Sequence, residues 1–199
     1  MTHRLARAVA ATGLLLLASC ASDGPEPGAI HTAALTGDVY SDLDASFASD
    51  MIQHHAQALA LVDTTRGRDL SPELGQLADE ILAGHTAEIE QLTSWLQDWQ
   101  VPRPATVRDH ASEHGAHSDA GSHLPGMVSE AALTELTALT DQEFQQRWLE
   151  LMIEHHKAAI GLVQDEQEAG RFAPAVELAD RVETGQRAQL RTMEELLRS

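Results

Sequence analysis

Apolar positions along this chain recur at helical spacing in several long stretches. Phe47, Met51, His54, Ala58 and Leu61 share one stripe, and Ile52, His55, Leu59 and Val62 widen it. The pattern predicts a first helix from about Ser41 to Thr65, with Gly67 as its stop. Ser71-Pro72 opens a second helix, with Pro at the first helical position, that runs to about Trp99 and is stopped by Pro102 and Pro104. Thr140 with Glu143 is a capping-box pattern for a third long helix ending near Ala169, before Gly170. Pro174 opens a fourth that runs nearly to the C-terminus, and Ser129 to Leu139 suits a short extra helix. β-branched runs, aromatics and hairpin dipeptides are scarce, so no strand is predicted. The expected fold class is all-α.

These stretches are related to one another. Met51-Ile52-Gln53-His54-His55-Ala56-Gln57-Ala58 matches Met152-Ile153-Glu154-His155-His156-Lys157-Ala158-Ala159 at an offset of 101 residues. Phe47 aligns with Trp148, Leu61-Val62 with Leu162-Val163, Leu77-Ala78-Asp79 with Leu178-Ala179-Asp180, Gly84 with Gly185 and Ile89 with Leu190. The repeat is thus about fifty residues long and spans two helices each time. Short links after the first and third helices make each repeat an antiparallel hairpin, and two hairpins joined by one long crossover make a four-helix bundle. The expected boundaries are repeat one at 41–99, a His-rich crossover at 100–139 and repeat two at 140–199.

Charge and the chain's start narrow the setting. Arg4 and Arg7 precede an apolar run from Ala8 to Ala18, too short for a permanent membrane span and the right length for an export signal over residues 1–19. Leu17-Ala18-Ser19-Cys20 resembles a bacterial lipobox, which makes Cys20 the lipidation point and anchors the protein outside the cytoplasm on the bacterial cell membrane. The alternative is an ordinary signal peptide with an incidental cysteine. Residues 20–40, rich in Gly, Pro, Ala and small polar types, read as a flexible tether. Loss of the signal takes the formal charge from −18 to −20, because residues 1–19 carry two arginines and no acid. Such acidity excludes a nucleic-acid footprint and suits cations. With Cys20 the only cysteine, neither an internal disulfide nor a thiolate cage is available.

Candidate chemistry therefore rests on His, Met, Asp and Glu. Each motif places a thioether (Met51, Met152) three and four residues before two imidazoles (His54 and His55, His155 and His156). If the repeats pack about a pseudo-twofold axis, the two sets face each other across the core. Thioether with imidazole suits Cu(I), and imidazole alone also suits Cu(II), Zn or Ni. No carboxylate is repeated within the motif, which counts against a hard-metal site. The plainer alternative is that the methionines are core packing and the histidines hydrogen-bonded core residues. In the crossover, His110, His114, His117 and His123 form either a loose metal-capturing loop or a solvated linker. His85, whose repeat partner is Gln186, reads as an exposed surface residue, with an extension of the site as the alternative.

The doubled M-I-x-H-H-x-x-A motif at 51–58 and 152–159, with Pro125-Gly126-Met127 before the second repeat, resembles the DUF305 family over about Leu43 to Leu197. The resemblance implies a ferritin-like four-helix bundle in exported bacterial proteins, often lipoproteins, some of them copper-binding. It puts weight on Met51, His54, His55, Met152, His155 and His156, and less on Met127. The Glu-x-x-His pairs of a di-iron bundle are missing from the predicted core helices. Three functions remain open on the residues. One is a non-enzymatic metal-binding lipoprotein, with copper first and zinc second, that buffers or transfers metal. Another is a metal-dependent oxidase or peroxide-handling enzyme. The third is a metal-independent structural or interaction module. No nucleophile triad or phosphate loop is present to specify catalysis.

Overall fold

The computed structural model describes residues 25–109 and 124–199. The signal at 1–19, Cys20 and the crossover histidines His110, His114, His117 and His123 lie outside the described residues. Helix α1 spans Asp42–Asp63, α2 Pro72–Asp98, α3 Glu130–Ala138, α4 Asp141–Ala169 and α5 Ala173–Leu196. The fold is an all-α bundle in which α1 pairs with α2, α4 with α5, and the two hairpins meet mainly along α1 and α4. Among the described residues no helix is long and apolar enough to cross a membrane.

The helix ends follow from local chemistry. Ser41 and Asp44 form a full capping box on α1, and Thr140 with Glu143 forms one on α4. Ser71 caps α2 with Pro72 at the first turn, and Ser129 caps α3. Gly67 takes a φ of 76° in the turn that follows α1, a left-handed conformation open to glycine. Arg68 ties the same turn to the second repeat. Its guanidinium donates to the carbonyls of Thr137 and Leu139 and to Asp141, and lies 4.1 Å above the Phe144 ring.

One expected segment differs. Within the stretch read as a tether, Ile30–Thr32 and Val39–Ser41 form an antiparallel two-stranded hairpin, β1 and β2, with His31 opposite Tyr40. Tyr40 stacks on Trp99 at the end of α2, with ring centroids 4.4 Å apart. Strands of three residues carry too little alternation to be seen in a sequence. Their stability comes from contact with a residue 59 positions away.

The core has two apolar clusters. One gathers Leu61, Leu77, Ile81, Phe144, Trp148, Met152 and Met193 among others. The other gathers Phe47, Met51, Ile52, Leu92, Trp95, Val163, Leu178 and Val182. The 101-residue offset exchanges them: Met51 lies in the second cluster, and its counterpart Met152 in the first. The bundle therefore has the pseudo-twofold arrangement that the repeat implies.

A buried carboxyl pair locks one end of it. Asp44 accepts from the Ser41 amide and hydroxyl on one oxygen and from the Arg171 and Phe172 amides on the other. Burial opposes its charge, but hydrogen bonds from Glu166, Ser41 and Phe172 outweigh that and hold its carboxyl below the usual range. No donor reaches either oxygen of the buried Glu166. Burial first, then the hydrogen bond to the Asp44 carboxylate and its charge, push Glu166 up to about 9. Glu166 thus keeps a proton at neutral pH and donates it to Asp44. The folded protein holds this proton between pH 4.5 and about 9, where the unfolded chain has released it, so stability falls as pH rises through that window. Glu166→Gln keeps a donor and removes the titration. Its melting temperature should match wild type near pH 5 and exceed it increasingly toward pH 9, by up to about 1.4 kcal/mol per pH unit. A gap that stays constant with pH would show that Glu166 is ionised in the fold.

Candidate metal centre

Between the two apolar clusters every main helix turns polar at the same level. Helix α1 contributes His54, His55 and Gln57, α2 His85 and Glu88, α4 His155 and His156, and α5 Gln186 and Gln189. His54 and His155, counterparts in the repeat, touch across the centre with ring centroids 3.8 Å apart. His55 stacks on His85 at 4.0 Å, and His85 lies 5.6 Å from His156. All five imidazoles are buried.

The expectation that the four motif histidines approach one another is thus met in the geometry. The expectation for His85 is overturned: it is 3% exposed and sits between His55 and His156. The available signal was its position on the apolar stripe of α2, four residues after Ile81 and seven before Leu92. Glu88 went unnoticed in the sequence. Its Oε2 lies 2.8 Å from His55 Nε2 and 3.3 Å from His85 Nδ1. The available signal was that it stands one helical turn after His85 and is the repeat partner of Gln189. Met51 and Met152 are fully buried in the apolar clusters on opposite sides of the layer.

The crossover covers the layer. The Pro125 carbonyl accepts from His54 Nε2 at 3.3 Å, and Gln57 pairs with the backbone of Val128 through both its amide atoms. Gly126, at φ 73°, lies against α4 so closely that a Cβ would meet that of Ala158 at 2.3 Å. Met127 follows, half-buried.

Among the described residues, one buried nitrogen on each of the five rings has no hydrogen-bond partner: His54 Nδ1, His55 Nδ1, His85 Nε2, His155 Nε2 and His156 Nδ1. Where a partner exists, it orients the ring. His54 donates from Nε2 to Pro125, and His156 from Nε2 to Gln189 Oε1 at 2.8 Å, which leaves the Nδ1 lone pair of each unengaged. Burial keeps four of these rings, His54, His85, His155 and His156, neutral. It lowers His54 to about 3, with His55 adding to the effect, and His156 to about 3, with His85 adding. His85 falls to about 4 through burial and His55, against the pull of Glu88, and His155 falls well below 6.5 through burial and His54. Burial opposes the charge of Glu88, but His55 and His85 beside it outweigh that and hold it well below the usual carboxylate range. Neutral imidazoles with free lone pairs beside an ionised carboxylate are the protonation states in which these groups bind metals.

Residues 44–197 match the family model described as a domain of unknown function, DUF305. A DUF305 fragment from Deinococcus radiodurans is similar in structure, at 28% identity and a TM-score of 0.67 over 79% of this chain and 97% of that one. A DUF305 protein from Streptomyces coelicolor gives 26% identity and a TM-score of 0.66 over 78% and 90%. CopM in its Cu(II)-bound form gives 23% identity and a TM-score of 0.62 over 78% and 95%. No curated protein matches the chain.

The neutral layer has a consequence in acid. His54, His85, His155 and His156 stay unprotonated in the fold while the unfolded chain charges below pH 6.5, so stability is lost as pH falls from 6.5 toward about 4. Each of these histidines contributes up to about 1.4 kcal/mol per pH unit in that window. Chemical denaturation of the metal-free protein at pH 7, 6 and 5 should show a steep decline. A flat profile over that range would mean that the imidazoles are charged or solvated in the fold.

Proposed function

This chain belongs to the DUF305 family, and we propose that it is an exported metal-binding protein whose cargo is held in the histidine layer, copper being the favoured ion. The observation that carries the reading is the set of five buried ring nitrogens, one on each of five converging imidazoles, without partners among the described residues. A purely structural role for these rings would require the protein to satisfy them, as it satisfies Trp148 Nε1 with the Leu61 carbonyl. Met51 and Met152, each one turn before a motif histidine, supply thioethers next to the layer. Imidazole with thioether is a donor set for copper, and imidazole alone also serves zinc. CopM, which shares the fold, has been solved with Cu(II), Cu(I) and silver bound.

The role is to buffer the ion or pass it on, with Met51, His54, His55, Met152, His155 and His156 as the principal ligand set. His85, Met127 and the crossover residues His110, His114, His117 and His123 are secondary candidates by residue type.

Titration of the protein with Cu(I), Cu(II) and Zn(II) tests this beside the variant with His54, His55, His155 and His156 all changed to Ala. Metal at 100 times Kd should stabilise wild type by about 2.7 kcal/mol, reversed by chelator, and leave the variant unmoved. Equal affinity of the two proteins would end the reading.

The cellular location rests on Cys20. Export followed by lipidation predicts a mature N-terminus at Cys20 carrying acyl mass, held in the membrane fraction. Mass spectrometry that finds Cys20 unmodified or removed would exclude the anchor without touching the metal reading.

A further inference from the structure

Aligning the two halves of the polar layer at the 101-residue offset isolates what each half has that the other lacks. His54 and His155 are identical, as are His55 and His156. Against Gln186 and Gln189 of the second half, however, the first half has His85 and Glu88. The second half is locally satisfied by a neutral amide, since His156 Nε2 bonds Gln189 Oε1 at 2.8 Å. In the first half the corresponding pair, His55 Nε2 and Glu88 Oε2, is as close at 2.8 Å, but here the imidazole meets a carboxylate, and the same oxygen lies 3.3 Å from His85 Nδ1.

We propose that the repeats have diverged into two chemically different subsites, and that His55, His85 and Glu88 form a subsite for a divalent cation of the Zn(II), Cu(II) or Co(II) class. The inference rests on the metal-binding reading above and deepens it. One ligand atom from each of the three residues lies within 4.8 Å of the other two, the spacing that a single ion can bridge. Two imidazoles and one carboxylate are a donor set found in zinc sites with an open position. The carboxylate decides the ion class. A charged oxygen donor suits a divalent ion and is poorly matched to soft Cu(I) or Ag(I), which the thioethers and the His54–His155 pair suit instead. Charge points the same way. Glu88 is three-quarters shielded, and among the described residues no lysine or arginine pairs with it. Its partners are the two imidazoles of the same cluster, and an ion bridging all three groups would add positive charge beside the carboxylate. The bland role, orienting His55, is one that glutamine fills in the other half, so it does not call for an acid.

Glu88→Gln reproduces the residue that the second repeat already carries, and His85→Gln does the same at the neighbouring position. The full-length protein and both variants are titrated with Co(II), followed by its visible absorption, with Zn(II) in competition, and separately with Ag(I). Wild type should bind Co(II) and Zn(II). Each variant should lose affinity for both by about 100-fold or more, with Ag(I) affinity held within about threefold and the fold intact by circular dichroism. Equal Co(II) binding by wild type and Glu88→Gln would overturn the inference. So would parallel loss of Co(II) and Ag(I), which would make Glu88 a structural support for the whole layer. Wild type that takes Ag(I) but no Co(II) or Zn(II) would overturn the subsite and leave the metal-binding reading standing. Binding of neither would overturn both.

Discussion

Five imidazoles buried in one layer, between two apolar clusters, are the constraint on which the rest of this molecule depends. An unpartnered polar group in a protein interior costs about 1–3 kcal/mol. Five such ring nitrogens together amount to roughly 5–15 kcal/mol, as much as the entire stability of a typical domain. Ring stacking between His55 and His85 offsets a part of this. The two flanking clusters must supply the remainder, and they are correspondingly well built. Trp148, Phe144, Leu61, Ile81, Leu92 and Leu96 are all fully buried.

Twofold repetition is how the layer is assembled, and divergence is how it is tuned. A helix pair bearing two adjacent histidines cannot aim both at one point, because neighbours on a helix point about 100° apart. Duplication resolves this. His54 and His155 meet at the axis, while His55 and His156 face outward to partners on α2 and α5. The outward partners are then free to differ, an acid in one half and an amide in the other. The crossover breaks the symmetry further. Pro125, Gly126 and Val128 lie against α1 and α4 on one side of the layer.

The Asp44–Glu166 pair applies the same physics to a structural end. Both acids are buried, and a retained proton removes the repulsion that two carboxylates would suffer. The pair binds the start of α1 to the turn between α4 and α5, where the backbone amides of Arg171 and Phe172 would otherwise be left unpaired. It lies at the end of the bundle near Phe47 and Phe172, clear of the histidine layer. Protonation there serves packing, whereas neutrality at the layer serves ligation.

The sequence alone determined the fold class, the four long helices and their caps, and the register of the repeat, because these depend on local periodicity and on residues within one turn of each other. Ser41, Thr140, Pro72 and Gly170 mark helix ends wherever they occur. It also determined that His54, His55, His155 and His156 are counterparts. Only the tertiary structure decided which of them meet, since contact between α1 and α4 depends on how two hairpins dock. The docking drew His85 out of its expected exposed position and made Glu88 part of the layer. It also turned residues 30–41 from tether into hairpin through the stacking of Tyr40 on Trp99. The methionines show the same division. Their spacing from the histidines is written in the helix, while their placement in opposite apolar clusters follows from the pseudo-twofold axis that brings the two repeats together.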